Sequence, residues 1–238
     1  MILPIVNAVK ESARLGATHR YLDFNIDREK ELNELVMLAS QICETPISLI
    51  TLMDQDVQWI KAKMGADISE MPRKTSFCTH AIENDDIMIV EDATLDKRFL
   101  DIPVVANTPH IRFYASANLR SHDGYNVGTL CVYDVKPKSL TVEQQTSLTA
   151  LANQVSHVME LDFALKTMKK QNITLSEIAR IQSHELRLPV SSILGIMDLI
   201  NEEVSDLNPE YLDLLNQSVN LLDEKIRIIV NHANSDYS

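Results

Sequence analysis

Pro46-Ile47-Ser48-Leu49-Ile50-Thr51-Leu52-Met53-Asp54-Gln55-Asp56-Val57-Gln58-Trp59-Ile60-Lys61-Ala62-Lys63 decides the architecture of the N-terminal part. Pro46 to Met53 is a β-branched, partly alternating run, Asp54-Gln55-Asp56 is a turn signal, and Val57 to Lys63 alternates again, so the stretch predicts a β-hairpin. Upstream, between Asp27 and Cys43, Leu32, Leu35, Val36, Ala39 and Ile42 trace one helical stripe. Downstream, strands are expected at Ile87 to Glu91, Phe113 to Leu119 and Val127 to Tyr133, the last two joined by a turn at Ser121-His122-Asp123-Gly124. Such a succession implies an antiparallel sheet flanked by helices, an α+β class.

Composition bounds the rest. The chain has 238 residues, 45% hydrophobic and 24% charged, enough for two modest globular domains. Its net charge of -12 argues against nucleic acid or anionic membrane as a partner, since both need basic clusters. No apolar run reaches membrane-spanning length, and Met1-Ile2-Leu3-Pro4 lacks the charged and apolar regions of a signal peptide, so a cytoplasmic location is expected. Three cysteines, Cys43, Cys78 and Cys131, lie in or beside apolar segments, an odd count that fits reduced thiols.

The C-terminal part reads differently. Thr141 with Gln144 forms a capping-box pattern, and a stripe follows at Leu148, Leu151, Val155 and Val158. Leu161, Leu165, Met168, Leu175 and Ile178 carry a seam onward, interrupted by Asn172, with a change of phase near Asp162. This connector either couples the two parts, by rotation or register shift, or is a passive spacer. Ser183-His184-Glu185-Leu186-Arg187-Leu188-Pro189-Val190 comes next. Gln182, Leu186, Val190, Ile193, Met197 and Ile200 fall on one stripe, which puts His184 roughly 160° from Leu186, on the wet face. A neutral imidazole can attack a phosphoryl group, and an adjacent carboxylate can take or hold the proton of its other nitrogen. Pro189 removes a helical donor and clashes with the preceding turn, so a bend is expected there. Asn208-Pro209-Glu210 then opens a second helix, whose Leu212, Leu215, Val219, Leu222, Ile226, Ile229 and Ala233 alternate spacings of three and four. Two such helices cannot bury both stripes alone. A four-helix bundle of two chains is the expected solution, and a hairpin packed on its own N-terminal domain is the alternative.

The string from Ser183 to Val190, continued by Ser191-Ser192-Ile193-Leu194-Gly195, resembles the H-box of the dimerisation and phosphotransfer (HisKA) domain of sensor histidine kinases. The resemblance implies that His184 is the phosphoacceptor, Glu185 its acid/base partner and Pro189 the helix-bending residue. It further implies a homodimer and a response-regulator receiver domain as partners. Four residues after the histidine the family typically carries threonine or asparagine, linked to dephosphorylating the receiver. Leu188 stands there and cannot hydrogen-bond a water, which puts phosphatase activity in question. After Gly195 there is no glycine to bring bare backbone to phosphates, so ATP and magnesium are expected only on a kinase domain elsewhere, in trans or in a longer polypeptide.

Six strings resemble a GAF domain: Ile42 to Ile50, Gln58 to Lys63, Ser76-Phe77-Cys78-Thr79-His80-Ala81-Ile82, Asp92 to Phe99, Ile111 to Ala115 and Gly128 to Val132. They cover about residues 25 to 163 and imply an antiparallel sheet with helices on one side and a ligand cavity on the other. Trp59, Phe77, Cys78, His80, Phe113 and Tyr114 are the candidates to wall that cavity, or else ordinary core. Cys78 and His80 alone do not make a metal or haem site, so no metal is expected and no ligand is named. A thiol sensor at Cys78 or Cys131 would need an exposed, low-pKa thiol. The expected organisation is an extension over 1–24, a GAF-like sensor over 25–163, and a connector with a phosphoacceptor hairpin over 164–238. Two functions follow: two-component signalling in which the sensor regulates phosphorylation of His184 and transfer to a receiver aspartate, or a non-catalytic dimeric sensor or adaptor using the hairpin for assembly only.

Overall fold

The computed structural model describes residues 3–22, 29–202 and 209–235. The chain divides into two units, Met1–Leu165 and Lys166–Ser238. The hairpin is present as β1 (Ile47–Met53) and β2 (Val57–Met64), antiparallel, with the Asp54 N–H donating to the Val57 carbonyl at 2.9 Å across the turn. The stripe before it is α1's successor α2 (Glu29–Cys43), where α1 is Leu3–His19. The remaining strands are β3 (Glu70–Pro72), β4 (Met88–Val90), β5 (Phe113–Arg120) and β6 (Asn126–Asp134). Short helices α3 (Cys78–Ala81) and α4 (Pro103–Ala106) lie among them. All neighbours pair antiparallel in the order β3–β2–β1–β6–β5–β4. Four of these elements go beyond the sequence reading: β3, too short to show alternation, the four-residue α3 and α4, and α1, which falls in the stretch read as an extension.

Period-2 alternation assigns the two faces of the sheet. Ile50, Leu52, Phe113, Ala115, Leu119, Leu130 and Val132 join Leu32, Val36 and Ala39 of α2, Ala17 of α1, and Leu148 and Val155 in one buried cluster. Leu49, Met53, Tyr114, Cys131 and Tyr133 point the other way, against Phe77, Cys78, Phe99 and Val105. Each fully buried Leu, Val or Phe contributes about 1.5–3 kcal/mol relative to exposure, so both faces contribute to closing the unit. A register shift after Ile50 passes over Lys61, which is why Trp59 and Ala62, three apart, share the helix-bearing face. Gly128 sits opposite Leu52, where an added Cβ would lie 1.9 Å from the Thr51 carbonyl oxygen, so only glycine lets β1 and β6 approach.

Helix α1 is bound by polar links as well as packing. Buried Arg14 donates to the Met53 carbonyl at 2.7 Å and to Glu11 at 2.8 Å, and Glu11 also accepts from Arg73 at 2.6 Å. Tyr21 donates to Glu160 and meets Phe163 edge-on, 6.1 Å between centroids.

Helix α5 (Val142–Glu185) opens on the expected reciprocal cap: the Thr141 N–H donates to Gln144 Oε1 at 3.0 Å and the Gln144 N–H to Thr141 Oγ1 at 3.2 Å. Its helical hydrogen-bonding is interrupted at Leu186, after which α6 (Arg187–Glu202) begins. Pro189 explains the place. It has no N–H for the carbonyl four residues back, that of Glu185, and its ring crowds that carbonyl. Helix α7 (Pro209–Ser235) starts on proline at its first position, which needs no donor. The Asn208 cap, the stretch 203–208 and the tail 236–238 lie outside the described residues.

Within the second unit, α6 and α7 pack along Leu186, Pro189, Ile193 and Ile196 on one side and Tyr211, Leu215 and Leu222 on the other, all at least half-buried. Val190, Met197, Leu212, Val219 and Ile226 from the expected stripes stay exposed in the single chain. The side chains of Ile229 and Ala233 are outside the described residues.

Candidate functional site

The face of the sheet away from the three long helices carries the chemistry of the first unit. Its centre is a buried aromatic stack: Phe77 lies 4.5 Å from Phe99 and 4.7 Å from Tyr114, both stacked, and 6.0 Å edge-on from Tyr133. Stacked and edge-on rings at these separations add about 0.5–1.5 kcal/mol each beyond burial. Beneath the stack, polar side chains converge on one sulfur. Cys78 Sγ receives Thr129 Oγ1 at 3.2 Å, Gln58 Nε2 at 3.4 Å and Tyr114 Oη at 3.4 Å, while Tyr133 Oη lies at 3.8 Å and Cys131 Sγ at 4.0 Å. The Cys78 N–H is held by Ser76 Oγ at 3.0 Å, which fixes the first residue of α3.

A thiol has one proton to give, and here the Thr129 and Tyr114 hydroxyls and the Gln58 amide each donate to it. Burial opposes a charge on Cys78, but hydrogen bonds from Cys131, Thr129, Tyr114 and Ser76 outweigh it and bring the thiol down to about 5. Cys131 is pushed well up, by burial and then by the neighbouring Cys78. Of the two thiols Cys78 is the more easily ionised and Cys131 the less. Tyr114 and Tyr133 are raised by burial and then by the neighbouring cysteines, so both phenols keep their protons as donors. Gln58 Oε1 is buried without a partner.

Next to this cage opens an apolar cavity of about 300 Å³, walled by Leu49, Met71, Phe77, Val104, Ile111 and Tyr133. Tyr133 thus belongs to both, with its ring on the cavity and its hydroxyl 3.7 Å from Cys131 Sγ and 3.8 Å from Cys78 Sγ.

The six cavity candidates divide. Phe77, Cys78 and Tyr114 come together on this face, whereas Phe113 and Trp59 lie on the opposite, helix-bearing one. Trp59 is half-buried there and its indole N–H donates to Asp54 Oδ2 at 3.3 Å. His80 stands at the rim, edge-on to Phe99 at 5.3 Å, with its Nδ1 3.9 Å from Glu83. Among the described residues, no three of His, Cys, Asp and Glu converge as a metal site would need. Gln58, Thr129 and Tyr133 were missed by the sequence reading. The signal was present in strand parity, since Thr129 and Tyr133 share the face of Cys131.

Two clefts also open on this unit, one of about 980 Å³ bordered by Glu91, Asp92, Asp96, Lys97 and Lys138, and a polar one of about 810 Å³ bordered by Lys10, Arg14, Arg73, Asn84 and Asp85. The two arginines of the 810 Å³ cleft are already engaged by Glu11, which leaves Lys10 as its unpaired cation among the residues named.

In the second unit, the backbones of His184 and Glu185 form the last residues of α5, and their side chains lie outside the described residues. Pro189 is buried three residues past the break, and Leu188 is 71% exposed beside it.

No helix among the described residues is long and apolar enough to cross a membrane. A cyclic di-GMP phosphodiesterase of Pseudomonas aeruginosa is 41% identical over 120 residues, which is 50% of this chain and 20% of the phosphodiesterase. The GAF domain of an Acinetobacter phosphoenolpyruvate-protein phosphotransferase has 14% identity, covering 65% of this chain and 98% of that domain with a TM-score of 0.49. The blue-light-absorbing form of the PixJ GAF domain of Thermosynechococcus elongatus has 18% identity, covering 60% and 92% of the two chains with a TM-score of 0.48. Residues 27–159, more than half of the sequence, match the GAF domain family, and the chain belongs to it.

Proposed function

We propose that this is a two-component signalling protein whose GAF unit regulates phosphorylation of His184 and transfer of that phosphate to an aspartate on a response-regulator receiver. The observation that carries the reading is the helix break at Leu186, immediately after His184-Glu185 and set by buried Pro189. The break frees backbone beside the reactive imidazole, where a donor phosphate and then a receiver must approach. The GAF membership and the likeness to a cyclic di-GMP phosphodiesterase support a signalling role in general.

In this reading His184 attacks the γ-phosphorus of ATP held by a kinase domain in trans or beyond Ser238, and Glu185 takes the proton of the other ring nitrogen. The exposed stripes of α6 and α7 are covered by a second copy, giving a homodimeric four-helix bundle. A small, largely apolar molecule in the 300 Å³ cavity is the input. The second reading, an assembly module without phosphotransfer, is favoured by exposed Leu188, which leaves no side chain to position a water beside the phosphoacceptor.

Incubation of the full chain with a phosphorylated receiver, or with the ATP-binding domain of a related kinase, tests this directly. Acid-labile phosphate on the wild type and none on a folded His184→Ala variant is the expected result. An unlabelled wild type removes the phosphotransfer reading, and label persisting in His184→Ala removes the site.

A further inference from the structure

We propose that Cys78 and Cys131 are a hydroperoxide-oxidisable pair that closes to a reversible disulfide at the wall of the GAF cavity. The proposal deepens the sensory reading of the GAF unit and is independent of whether His184 carries phosphate.

Three observations converge on it. The sulfurs are 4.0 Å apart, and a disulfide needs about 2.05 Å, so roughly 2 Å of movement suffices. That movement falls on Cys78, the first residue of the four-residue α3, while Cys131 is fixed in the central strand β6. Second, the donors on Cys78 are those a thiolate requires, and the thiolate is the form that attacks peroxide. Third, both sulfurs are fully buried, and Tyr133, which lines the cavity, holds its hydroxyl 3.8 Å from Cys78 Sγ and 3.7 Å from Cys131 Sγ, so the cavity is the route by which a small hydroperoxide reaches them.

The chemistry balances as follows. Cys78 thiolate attacks the terminal oxygen of a hydroperoxide, the O–O bond breaks, and the departing alkoxide takes the proton lost by the thiol and leaves as alcohol. Cys131 sulfur then attacks the sulfenic sulfur of Cys78, the S–O bond breaks, and hydroxide leaves with the Cys131 proton as water. Two thiols and one hydroperoxide become one disulfide, one alcohol and one water. Phe77, next in the chain to Cys78 and stacked between Phe99 and Tyr114, moves with the closure and alters the cavity it walls.

Cys43 is an internal control. It is equally buried but lies on the helix-bearing face, and burial pushes its thiol up to about 11. The full reduced chain is treated with cumene hydroperoxide or hydrogen peroxide, denatured in N-ethylmaleimide and digested without reductant. The thiol titre falls from three to one, the two lost thiols appear as a Cys78–Cys131 linked peptide, Cys43 is alkylated, and dithiothreitol restores all three. In Cys131→Ser, dimedone traps Cys78 as the sulfenic acid. Hydrogen exchange over residues 76–82 rises on oxidation of the wild type. Alkylation of Cys78 and Cys131 to the same extent as Cys43, or a disulfide that involves Cys43 or a second chain instead, overturns the proposal without bearing on His184.

Discussion

The GAF unit and the helical unit spend the same kind of residue in opposite ways. Ile50, Leu130 and Leu148 are fully buried, whereas Leu212, Val219 and Ile226 remain 46%, 46% and 45% exposed. A sheet has two faces, and here one chain supplies a cover for each: three long helices on one, α3, α4 and their loops on the other. A helical hairpin has only one contact to offer, so a stripe wider than that contact is left over. Apolar pattern therefore accompanies fold closure in the first unit and an uncovered stripe in the second.

The largest effect that would sharpen this contrast is expected at Phe77. Phe77→Ala empties the centre of the stack and should cost about 3–5 kcal/mol. Urea unfolding followed by the fluorescence of Trp59, the sole tryptophan, reads it, and a loss below about 1 kcal/mol would mean that the cavity-side face is not a closed core. Gly128→Ala comes next, at about 1–3 kcal/mol by the same measurement, because its methyl meets backbone rather than a yielding side chain.

A smaller effect ties α1 to the GAF unit. Burial raises the Glu11 carboxyl, but hydrogen bonds from Arg14 and Arg73 outweigh this and hold it at about 2, below the ordinary 4.5. A depressed carboxyl stabilises the fold above its ordinary value, and that contribution is lost as pH falls from about 4.5 toward 2. Because Glu11 is partly exposed, screening reduces the contribution to about 1 kcal/mol. Glu11→Gln should lower stability by that amount at pH 7 and flatten the acid limb of the stability–pH curve; an unchanged limb would detach α1 from the unit's stability. The smallest effect on folding should come from the leftover stripe. Replacing Leu212, Val219 and Ile226 by Gln should change unfolding by within about 0.5 kcal/mol each, yet convert a dimer to a monomer in sedimentation. An unchanged mass would break the comparison.

Local chemistry was legible in the sequence and long-range juxtaposition was not. The Asp54-Gln55-Asp56 turn and the Thr141/Gln144 cap stand where they were read, since each is specified within a few residues. The Pro189 bend was legible for the same reason, although the break falls at Leu186 because proline acts on the carbonyl four residues back. The cavity list mixed Trp59 and Phe113 with Phe77 and Tyr114 because alternation separates two faces without saying which one the helices cover. The pairing of Cys78 with Cys131 depends on where a four-residue helix docks on a strand far along the chain, and no short motif encodes that. Helix α1 escaped for another reason: among the described residues it is anchored by buried Arg14 and by Tyr21 just past its end as well as by Ala17 in the core.

The interruption at Leu186 makes the hairpin's first helix a lever on a soft joint. A continuous α-helix transmits twist because every turn is cross-braced by the next. At Glu185 one brace is missing for good, since no donor at position 189 can ever close it. A twist applied on one side of Leu186 is therefore taken up there in part as tilt between the two helical segments.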